Sequence, residues 1–257
     1  ERYENLAEFL TKRGILVTGE DHLGHGKSVS EGGSFGYFCE QDPATVVVRD
    51  VHRLKKITEE QYPQVPYIIL GHSMGSFIAR NYLCRYGSGI GGAVIVGTGM
   101  QPAGLIFASK AMAGIQKLFC GSKHVSHFID KAAFGGYNKR IDSPRTSSDW
   151  LSRNTENVDR YIEDELCGFT FTVNGFQTLF ELIRRLQKQE NLEKVPQNLP
   201  ILMVSGAEDP VGDYGKGVHK ACDSLKRAGV KNITVKLYEN DRHELLNEDD
   251  AEVAMED

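Results

Sequence analysis

The sequence has few of the features that mark several large classes of protein. Its five cysteines are odd in number, scattered and never spaced as CxxC, so they indicate neither a disulfide framework nor a thiolate metal site. No apolar run approaches the roughly 18 residues that a membrane-spanning helix needs. The net charge of −5 is modest and no basic stripe is present, so nucleic acid is not an expected partner. We therefore expect a globular protein of the cytoplasm.

What the sequence does contain is an alternation of short apolar runs with helical patterns. The apolar runs GILVTGEDH, YIIL, GGAVIVGT, PILMVSG and NITVKLYEN each predict a strand, and the last has the alternation of a sheet edge. Among the helical patterns between them, one face carries Val47, Val51, Leu54 and Ile57. This spacing is typical of βαβ units. It predicts an α/β fold in which helices flank a mostly parallel sheet.

The alternation is interrupted in the middle of the chain. That stretch contains the helical pattern LIFASKAMAGIQKLF and a later helix with one apolar face. The residues of that face are Phe176, Leu179, Phe180, Ile183 and Leu186. We predict a core formed by residues 1–100 and 199–257, with residues 101–198 inserted as a helical cap.

The most informative stretch is PYIILGHSMGSFIARNYL, where a strand pattern passes into a helix pattern across a serine flanked by glycines. In G-x-S-x-G the serine occupies a strained turn, and side chains at Gly71 and Gly75 would collide with neighbouring backbone. The turn, which also contains His72, should raise the Ser73 hydroxyl above the sheet edge. It should also place the Met74 N–H beside a developing oxyanion. We therefore predict that Ser73 is a nucleophile.

A serine hydroxyl needs a base, and the base needs an orienting acid. In this kind of fold the acid and then the histidine follow the serine along the chain. Glu208 and Asp209 come after PILMVSG, and His243 comes after NITVKLYEN, so each lies in the loop where the topology requires it. Asp213 is a weaker candidate for the acid.

The loop EDHLGHGKS permits a simpler interpretation than catalysis. For His22 and His25, structural hydrogen bonding is favoured over a catalytic role. A phosphate-binding loop of the form G-x-x-x-x-G-K-S would need glycine where Asp21 stands, and a helix directly after Ser28, where more glycines follow. We therefore do not expect a nucleotide site in this loop.

Taken together, these motifs resemble an α/β-hydrolase of the monoacylglycerol lipase and lysophospholipase-like group, of serine aminopeptidase S33 type. The matching blocks are RYENLAEFL, DHLGHGKS, GHSMGS, GAEDPVG and RHELLNE, with the cap stretch WLSRNTENVDRYIEDELCGF. The resemblance implies that Ser73 is the nucleophile, His243 the base and Asp209 the orienting acid. It also implies that Met74 supplies one oxyanion-hole N–H.

The chain departs from this group at both ends. In the group, a segment of H-G-x-x-E-H type precedes RY and gives the second oxyanion-hole N–H. Here that donor would lie upstream of Glu1, and we expect it to be absent. The early antiparallel strands of the group also have no counterpart, and the last helix, in EDDAEVAMED, is short. We interpret the sequence as a fragment clipped at both ends or as a partial gene product.

Three functions fit these residues. The first is a serine carboxylesterase acting on monoacylglycerol, lysophospholipid or a similar single-chain ester through an acyl-enzyme, without a metal or organic cofactor. The second is a serine aminopeptidase, whose substrate amine Glu156, Asp159, Glu163 and Asp164 could hold, although a solvated helix face is the simpler interpretation. The third is a binding protein that keeps the pocket without useful turnover.

The cap helix LIFASKAMAGIQKLF supplies candidates for the wall of an acyl pocket. They are Leu105, Ile106, Phe107, Met112, Leu118 and Phe119. The alternative is that these residues pack the cap onto the core, and burial is the default expectation. Because the helix has only two lysines, we expect at most transient, peripheral contact with a membrane surface.

Overall fold

The fold is built on a parallel sheet, described in a computed structural model over residues 2–257. The strands are β1 (Ile68–His72), β2 (Gly92–Val96), β3 (Ile201–Gly206) and β4 (Ile233–Tyr238). They lie in the order β1-β2-β3-β4, and each pair is parallel. The predicted parallel sheet and the edge position of the last strand are both confirmed.

Helices lie before, between and after these strands in the sequence. The first three are α1 (Glu4–Thr11), α2 (Pro43–Gln61) and α3 (Met74–Tyr86). Between β2 and β3 lie α4 (Ala103–Cys120), α5 (His127–Phe134), α6 (Thr155–Glu163), α7 (Val173–Leu186) and α8 (Gln189–Leu192). The last two are α9 (Lys216–Arg227) and α10 (Ala251–Glu256).

The sheet is covered on both faces because successive side chains along a strand point to opposite sides. Ile95 and Met203 belong to a large core shared with α2, α3, α7 and α9. Val96 and Val204 belong to a smaller cluster on the other face, with Leu6 of α1 and residues that follow β4. Fully burying an aliphatic side chain of this size contributes about 1.5–3 kcal/mol, so these two clusters hold the helical layers against the sheet.

Helix α7 is the central helix of the stretch between β2 and β3. All five residues predicted for its apolar face are buried, and the helix packs against α2, α3 and α4. Its N-terminus is capped by Thr172, whose hydroxyl accepts the Gly175 N–H at 3.2 Å. The division into a core and a cap of residues 101–198 stays a prediction.

The strand predicted for GILVTGEDH is wrong. The Ile15 N–H donates back to the Leu10 carbonyl at 3.1 Å and Gly14 takes a left-handed φ of +78°, which closes the end of α1. Ile15, Leu16 and Val17 then run on without strand pairing and are exposed. An apolar run becomes a buried strand only where another element covers it, and nothing within residues 2–257 covers this one.

The helix predicted around Val51 exists as α2, but its buried face is shifted from the predicted one. Val47 is buried, whereas Ile57 is 53% exposed. The helix instead buries Lys55 and Thr58, and the Thr58 hydroxyl bonds back to the Leu54 carbonyl at 2.9 Å. Because the buried face contains polar residues, a pattern that counts only apolar side chains misplaces this face.

Candidate active site

Ser73 lies on the sharp turn between β1 and α3. Its backbone has φ 55° and ψ −122°, a conformation that L residues rarely adopt, so the predicted strain is confirmed. The Ser73 N–H donates to the Val96 carbonyl on β2 at 3.1 Å. The Ser76 N–H and hydroxyl both donate to the Ser73 carbonyl, at 2.9 and 2.5 Å. These bonds fix the turn from both sides.

The two glycines of this turn have different roles. A Cβ on Gly71 would lie 2.3 Å from the Gly75 carbonyl oxygen and 2.8 Å from the Ala79 Cβ, so the predicted collision is confirmed there. A Cβ on Gly75 would meet nothing within 4 Å, so the same prediction is wrong for Gly75. Gly71 must lack a side chain because α3 crosses it closely, and Gly75 supplies the carbonyl that makes this crossing close.

The N-terminus of α3 directly follows the serine. Met74 is the first helical residue, and N–H groups in the first turn of a helix have no acceptor within the helix. The helix dipole adds partial positive charge at the same end. The Met74 N–H is thus suited to a developing oxyanion, and its role as an oxyanion-hole donor stays a prediction.

Asp209 and His243 are brought together across the ends of β3 and β4. His243 Nδ1 lies 2.9 Å from Asp209 Oδ2, and the two side chains are 2% and 0% exposed. Asp209 also accepts the Ser205 hydroxyl at 3.2 Å and the Val211 N–H at 2.8 Å. Of the three candidate acids, the histidine therefore contacts Asp209, whereas Glu208 and Asp213 are exposed.

This pairing determines which nitrogen of His243 can accept a proton. A carboxylate can only accept hydrogen bonds, so Nδ1 carries the hydrogen and Nε2 has a free lone pair. His243 Nε2 is buried and has no hydrogen-bond partner within residues 2–257. An unpaired buried acceptor costs free energy, and a catalytic role is one of the reasons for which such a group is kept.

His72 connects the serine turn to the histidine loop. Its Nε2 lies 2.9 Å from the His243 carbonyl and so must donate, which leaves Nδ1 to accept the Tyr3 hydroxyl at 2.9 Å. The centres of the His72 and His243 imidazole rings are 4.7 Å apart. Burial, followed by the neighbouring His243, lowers the pKa of His72 to about 3, so this ring is neutral near pH 7. The sequence placed His72 in the turn but gave no sign of this contact.

Two further contacts of His243 were missed by the sequence analysis. The Trp150 ring lies 5.1 Å from the His243 ring, centre to centre. Gly97, at the end of β2, has φ +57°, and a Cβ there would lie 3.0 Å from His243 Cε1. Trp150 is notable as the chain's single tryptophan in a polar stretch, and Gly97 lies near the end of the run GGAVIVGT, but neither feature predicts a contact with His243.

The loop after His243 is anchored by a buried carboxylate. Glu248 accepts the Ser152 hydroxyl at 2.7 Å, the Arg153 N–H at 2.9 Å and the Arg242 N–H at 2.9 Å. Arg153 also forms ion pairs with Glu248 and with buried Asp241. Burial and the neighbouring Asp250 raise the pKa of Asp241 to about 6. The histidine loop is thus tied to the segment that carries Trp150.

The six candidates for an acyl pocket all lie on α4. Ile106 is buried in the main core, and Met112 is half-buried beside Ala113. The other four are exposed, which makes the default expectation of burial wrong for them: Leu105, Phe107, Leu118 and Phe119. Contact between these side chains and a substrate stays a prediction. Within residues 2–257 no helix is both long and apolar enough to cross a bilayer.

The carboxylates considered for an aminopeptidase lie on or beside α6. Asp159 pairs with Arg145 at 2.8 Å, and Asp164 accepts the Leu166 N–H at 2.8 Å. Glu156 and Glu163 are exposed. This arrangement agrees with the simpler interpretation, a solvated helix face.

The glycine-rich loop also agrees with its simpler interpretation. Asp21 accepts the Lys27 N–H at 2.9 Å, and its carbonyl accepts the Ser28 hydroxyl at 2.6 Å. The chain's own carboxylate therefore occupies the turn that a phosphate-binding loop would leave open. The His25 ring packs among Phe38, Phe169 and Phe171, and burial lowers its pKa.

Comparison with known proteins places this geometry in a family. The sequence model of the serine aminopeptidase S33 hydrolases matches residues 1–250. The chain belongs to this family. The monoglyceride lipase of Rattus norvegicus is 29% identical over 249 residues, which cover 96% of this chain and 72% of the relative.

Solved structures agree with this assignment. The thermostable carboxyl esterase from Bacillus coagulans in complex with glycerol is 30% identical, with a TM-score of 0.91 over 99% of this chain and 82% of the esterase. A lipase in its open form is 27% identical, with a TM-score of 0.87 and the same coverage of both chains. The predicted family and the α/β-hydrolase fold are confirmed, and the comparisons support a carboxylester hydrolase.

Proposed function

We propose that this chain hydrolyses single-chain acyl esters, such as monoacylglycerols or lysophospholipids, through Ser73, His243 and Asp209. The observation that carries the proposal is the buried Asp209–His243 pair, whose Nε2 has no partner within residues 2–257. The same histidine contacts His72, the residue next to Ser73. The relatives described as lipases and esterases support an ester as the substrate.

The first half of the reaction transfers the acyl group to the enzyme. Ser73 Oγ attacks the ester carbonyl carbon while its proton passes to His243 Nε2. Asp209 stabilises the imidazolium through Nδ1, and the Met74 N–H stabilises the charge on the carbonyl oxygen. The carbon–oxygen bond to the alcohol then breaks, and the alcohol leaves with the proton from Nε2.

The second half returns the enzyme to its starting state. Water attacks the acyl-serine and gives one proton to Nε2. When the acyl–oxygen bond to Ser73 breaks, the serine takes that proton back and the carboxylic acid is released. All of these proton transfers use one nitrogen, which agrees with a ring held at Nδ1 by a buried carboxylate.

The three candidate functions require different groups in the site. An aminopeptidase needs a carboxylate that can hold the substrate amine; of those considered, Asp159 is already paired with Arg145, and Glu156 and Glu163 are exposed on a helix face. A binding protein without turnover needs no buried proton acceptor, whereas here His243 Nε2 is buried without a partner within residues 2–257, and the His243 carbonyl contacts His72, the neighbour of Ser73. The buried acceptor favours an enzyme over a binding protein, the lipase and esterase relatives favour an ester as its substrate, and substrate comparison separates the three.

The test measures hydrolysis of a monoacylglycerol, a lysophospholipid, nitrophenyl esters of increasing chain length and an aminoacyl anilide. Ser73→Ala should lower kcat/KM for the esters by roughly 10³-fold or more, because the remaining groups cannot replace the nucleophile. Ser88→Ala is the matched control, since Ser88 is exposed and lies after the same helix. Circular dichroism establishes that each variant is folded.

The outcomes separate the candidate functions. Ser73-dependent turnover of the longer esters supports the proposal. Turnover of the anilide alone would assign a peptidase, and a folded chain that is inactive on every substrate would assign a binding protein. Ester turnover that survives Ser73→Ala would contradict the proposed nucleophile.

A further inference from the structure

A cleft of about 240 Å³ lies on the side of Trp150, close to the Asp209–His243 pair. Trp150 lines this cleft and also contacts the His243 ring. The cleft adjoins a second, wider one of about 460 Å³, and the two share Tyr137 and Tyr214 in their walls. We call the two together the Tyr214 groove. The proposed mechanism uses none of its residues.

The Tyr214 groove is rich in cations that have no carboxylate partner. Arg140 and Arg242 line the first cleft, and Lys131 and Lys139 line the second. Within residues 2–257, no carboxylate oxygen lies within 4 Å of the charged nitrogens of these four side chains. The first cleft also has the carboxylate of Glu208 and the guanidinium of Arg153, which is already paired with acids. A surplus of positive charge in a chain of net charge −5 indicates an anionic ligand.

Arg242 is held in place before any ligand arrives. Its Nη1 donates to the carbonyls of Asp149 at 2.8 Å and Ser152 at 3.0 Å. Its Nε and Nη2 form no hydrogen bond within residues 2–257, so the N–H groups on these two nitrogens remain able to donate to a ligand in the cleft that Arg242 lines. A fixed planar fork of this kind matches the geometry of phosphate oxygens, and its immobilisation reduces the entropy cost of binding.

Tyr214 is held in a strained conformation at the centre of the groove. Its φ is +55°, which is an outlier for a bulky residue, and Asp213 before it has φ +48°. The Tyr214 N–H donates to the Asp209 carbonyl at 2.9 Å, and Arg140 stacks over its ring with Cζ 3.5 Å from the ring centre. Strain of this kind persists where the surrounding structure holds it, and it is concentrated at ligand sites. The strained turn therefore positions the ring that orients Arg140.

We propose that the Tyr214 groove binds a phosphate group through Arg140 and Arg242. The phosphate belongs either to the head group of an ester substrate or to a free phosphate compound bound beside the active site. The first source rests on the proposed ester hydrolysis, whereas the binding of phosphate itself does not. A phosphate in this cleft would lie against Trp150, the ring that also contacts His243.

The first experiment is calorimetric titration with inorganic phosphate and with glycerol 3-phosphate, which requires no turnover. Saturable binding is expected, and Arg140→Gln should weaken it about tenfold, since a hydrogen bond to a charged group is lost. Arg242→Gln should have an equal or larger effect, but it also removes bonds to the backbone of Asp149 and Ser152. Arg140→Gln is therefore the decisive variant, because Arg140 is exposed. Arg49→Gln, on the exposed side of α2, is the charge-matched control and should leave the affinity unchanged.

The second experiment assigns the source of the phosphate. It compares kcat/KM for a single-chain ester that carries a phosphate monoester with kcat/KM for the monoacylglycerol of the same chain length. If Arg140→Gln lowers the ratio of these values about tenfold, the phosphate is the head group of the substrate. If the ratio stays constant while phosphate affinity falls, the groove binds a free phosphate compound, and the site stands.

Two results would overturn the proposal. One is the absence of saturable phosphate binding by the folded chain, and the other is equal affinity in the wild type and Arg140→Gln. A chain that binds phosphate but hydrolyses neither ester would instead contradict the proposed function and leave the phosphate site intact.

Discussion

The loop that carries His243 buries polar residues, whereas helix α4 exposes large apolar residues, and each is the reverse of what is usual in a folded protein. The loop buries polar groups, including Asp241, Glu244 and Glu248, and each of them has hydrogen-bond or ion-pair partners. Helix α4 exposes large apolar groups, and Leu118 and Phe119 are each 84% exposed. Buried polar groups and exposed apolar groups both cost free energy, so their presence indicates a functional demand. The loop fixes His243, whose Nε2 is the proposed proton acceptor, and the helix offers an apolar surface.

The largest effect should come from removing the buried anchor of the histidine loop. Glu248→Ala leaves the N–H groups of Arg153 and Arg242 and the Ser152 hydroxyl without their acceptor, and leaves Arg153 with less counter-charge. We expect the free energy of unfolding to fall by about 3 kcal/mol, measured by urea denaturation. Ester hydrolysis should fall as well, because the loop orients His243.

Two other variants of Glu248 and its surroundings sharpen this test. Glu248→Gln keeps the shape and one acceptor oxygen, so it should lose less stability than the alanine variant. Glu60→Ala removes an exposed glutamate from α2 and should change stability by no more than about 0.5 kcal/mol. Equal stability of Glu248→Ala and Glu60→Ala would show that the buried network does not anchor the loop.

The second effect is a loss of stability on acidification, which we assign to His72; counted per pH unit, it is smaller than the effect of Glu248→Ala. The folded pKa of His72 is about 3, whereas its ordinary value is 6.5, so between these values the unfolded chain takes up a proton that the folded chain does not. The contribution of His72 to stability is complete above pH 6.5 and is lost as the pH falls towards 3. The loss should be on the order of 1 kcal/mol per pH unit. Protonation would also reverse the bond at Nδ1, with the Tyr3 hydroxyl becoming the acceptor, and would place a cation beside His243.

The measurement is the free energy of unfolding as a function of pH for the wild type and for His72→Gln. Asp241, with its pKa raised to about 6, acts in the opposite direction, because its contribution grows as the pH falls below 6. Since Asp241 is present in both proteins, the difference between the two curves isolates His72. We expect that difference to narrow with falling pH. His219→Gln, at an exposed position on α9, is the control, and its free energy of unfolding should follow pH in parallel with the wild type. If His72→Gln also ran parallel to the wild type, His72 would not be the source of the loss of stability in acid.

The difference between the two regions also explains what could be predicted from the sequence. The parallel sheet, the strained Ser73 turn and the two loops that carry Asp209 and His243 follow from periodicity and chain order, whereas the choice of Asp209 over Glu208 came from the family resemblance. The contact of Trp150 with His243 spans 93 positions and depends on how the stretch between β2 and β3 folds back, for which the sequence has no local signal.

The errors have the same cause. The segment GILVTGEDH and the predicted pocket residues of α4 are apolar, and apolar patterns predict burial without naming the element that provides it. Ile15 and Phe107 are both exposed. The buried face of α2 was misplaced for a related reason, since Lys55 lies in it and pairs with Glu59. Tertiary packing decides these cases, and no single segment contains that information.

The smallest effect on stability should come from α4, where the apolar side chains are most exposed. Replacing both Leu118 and Phe119 with serine removes apolar groups that pack against little, so the free energy of unfolding should change by no more than about 0.5 kcal/mol. Ile106→Ala on the same helix is the contrasting variant, because Ile106 is buried in the core and its truncation should cost about 2–5 kcal/mol. If the double serine variant lost as much stability as Ile106→Ala, Leu118 and Phe119 would be packed against other groups in solution.

If the double variant is as stable as the wild type, folding does not explain why this surface of α4 is apolar. Contact with a lipid or with aggregated ester would give that reason, and binding to phosphatidylcholine vesicles measured by co-sedimentation should then be weaker in the Leu118→Ser, Phe119→Ser protein than in the wild type.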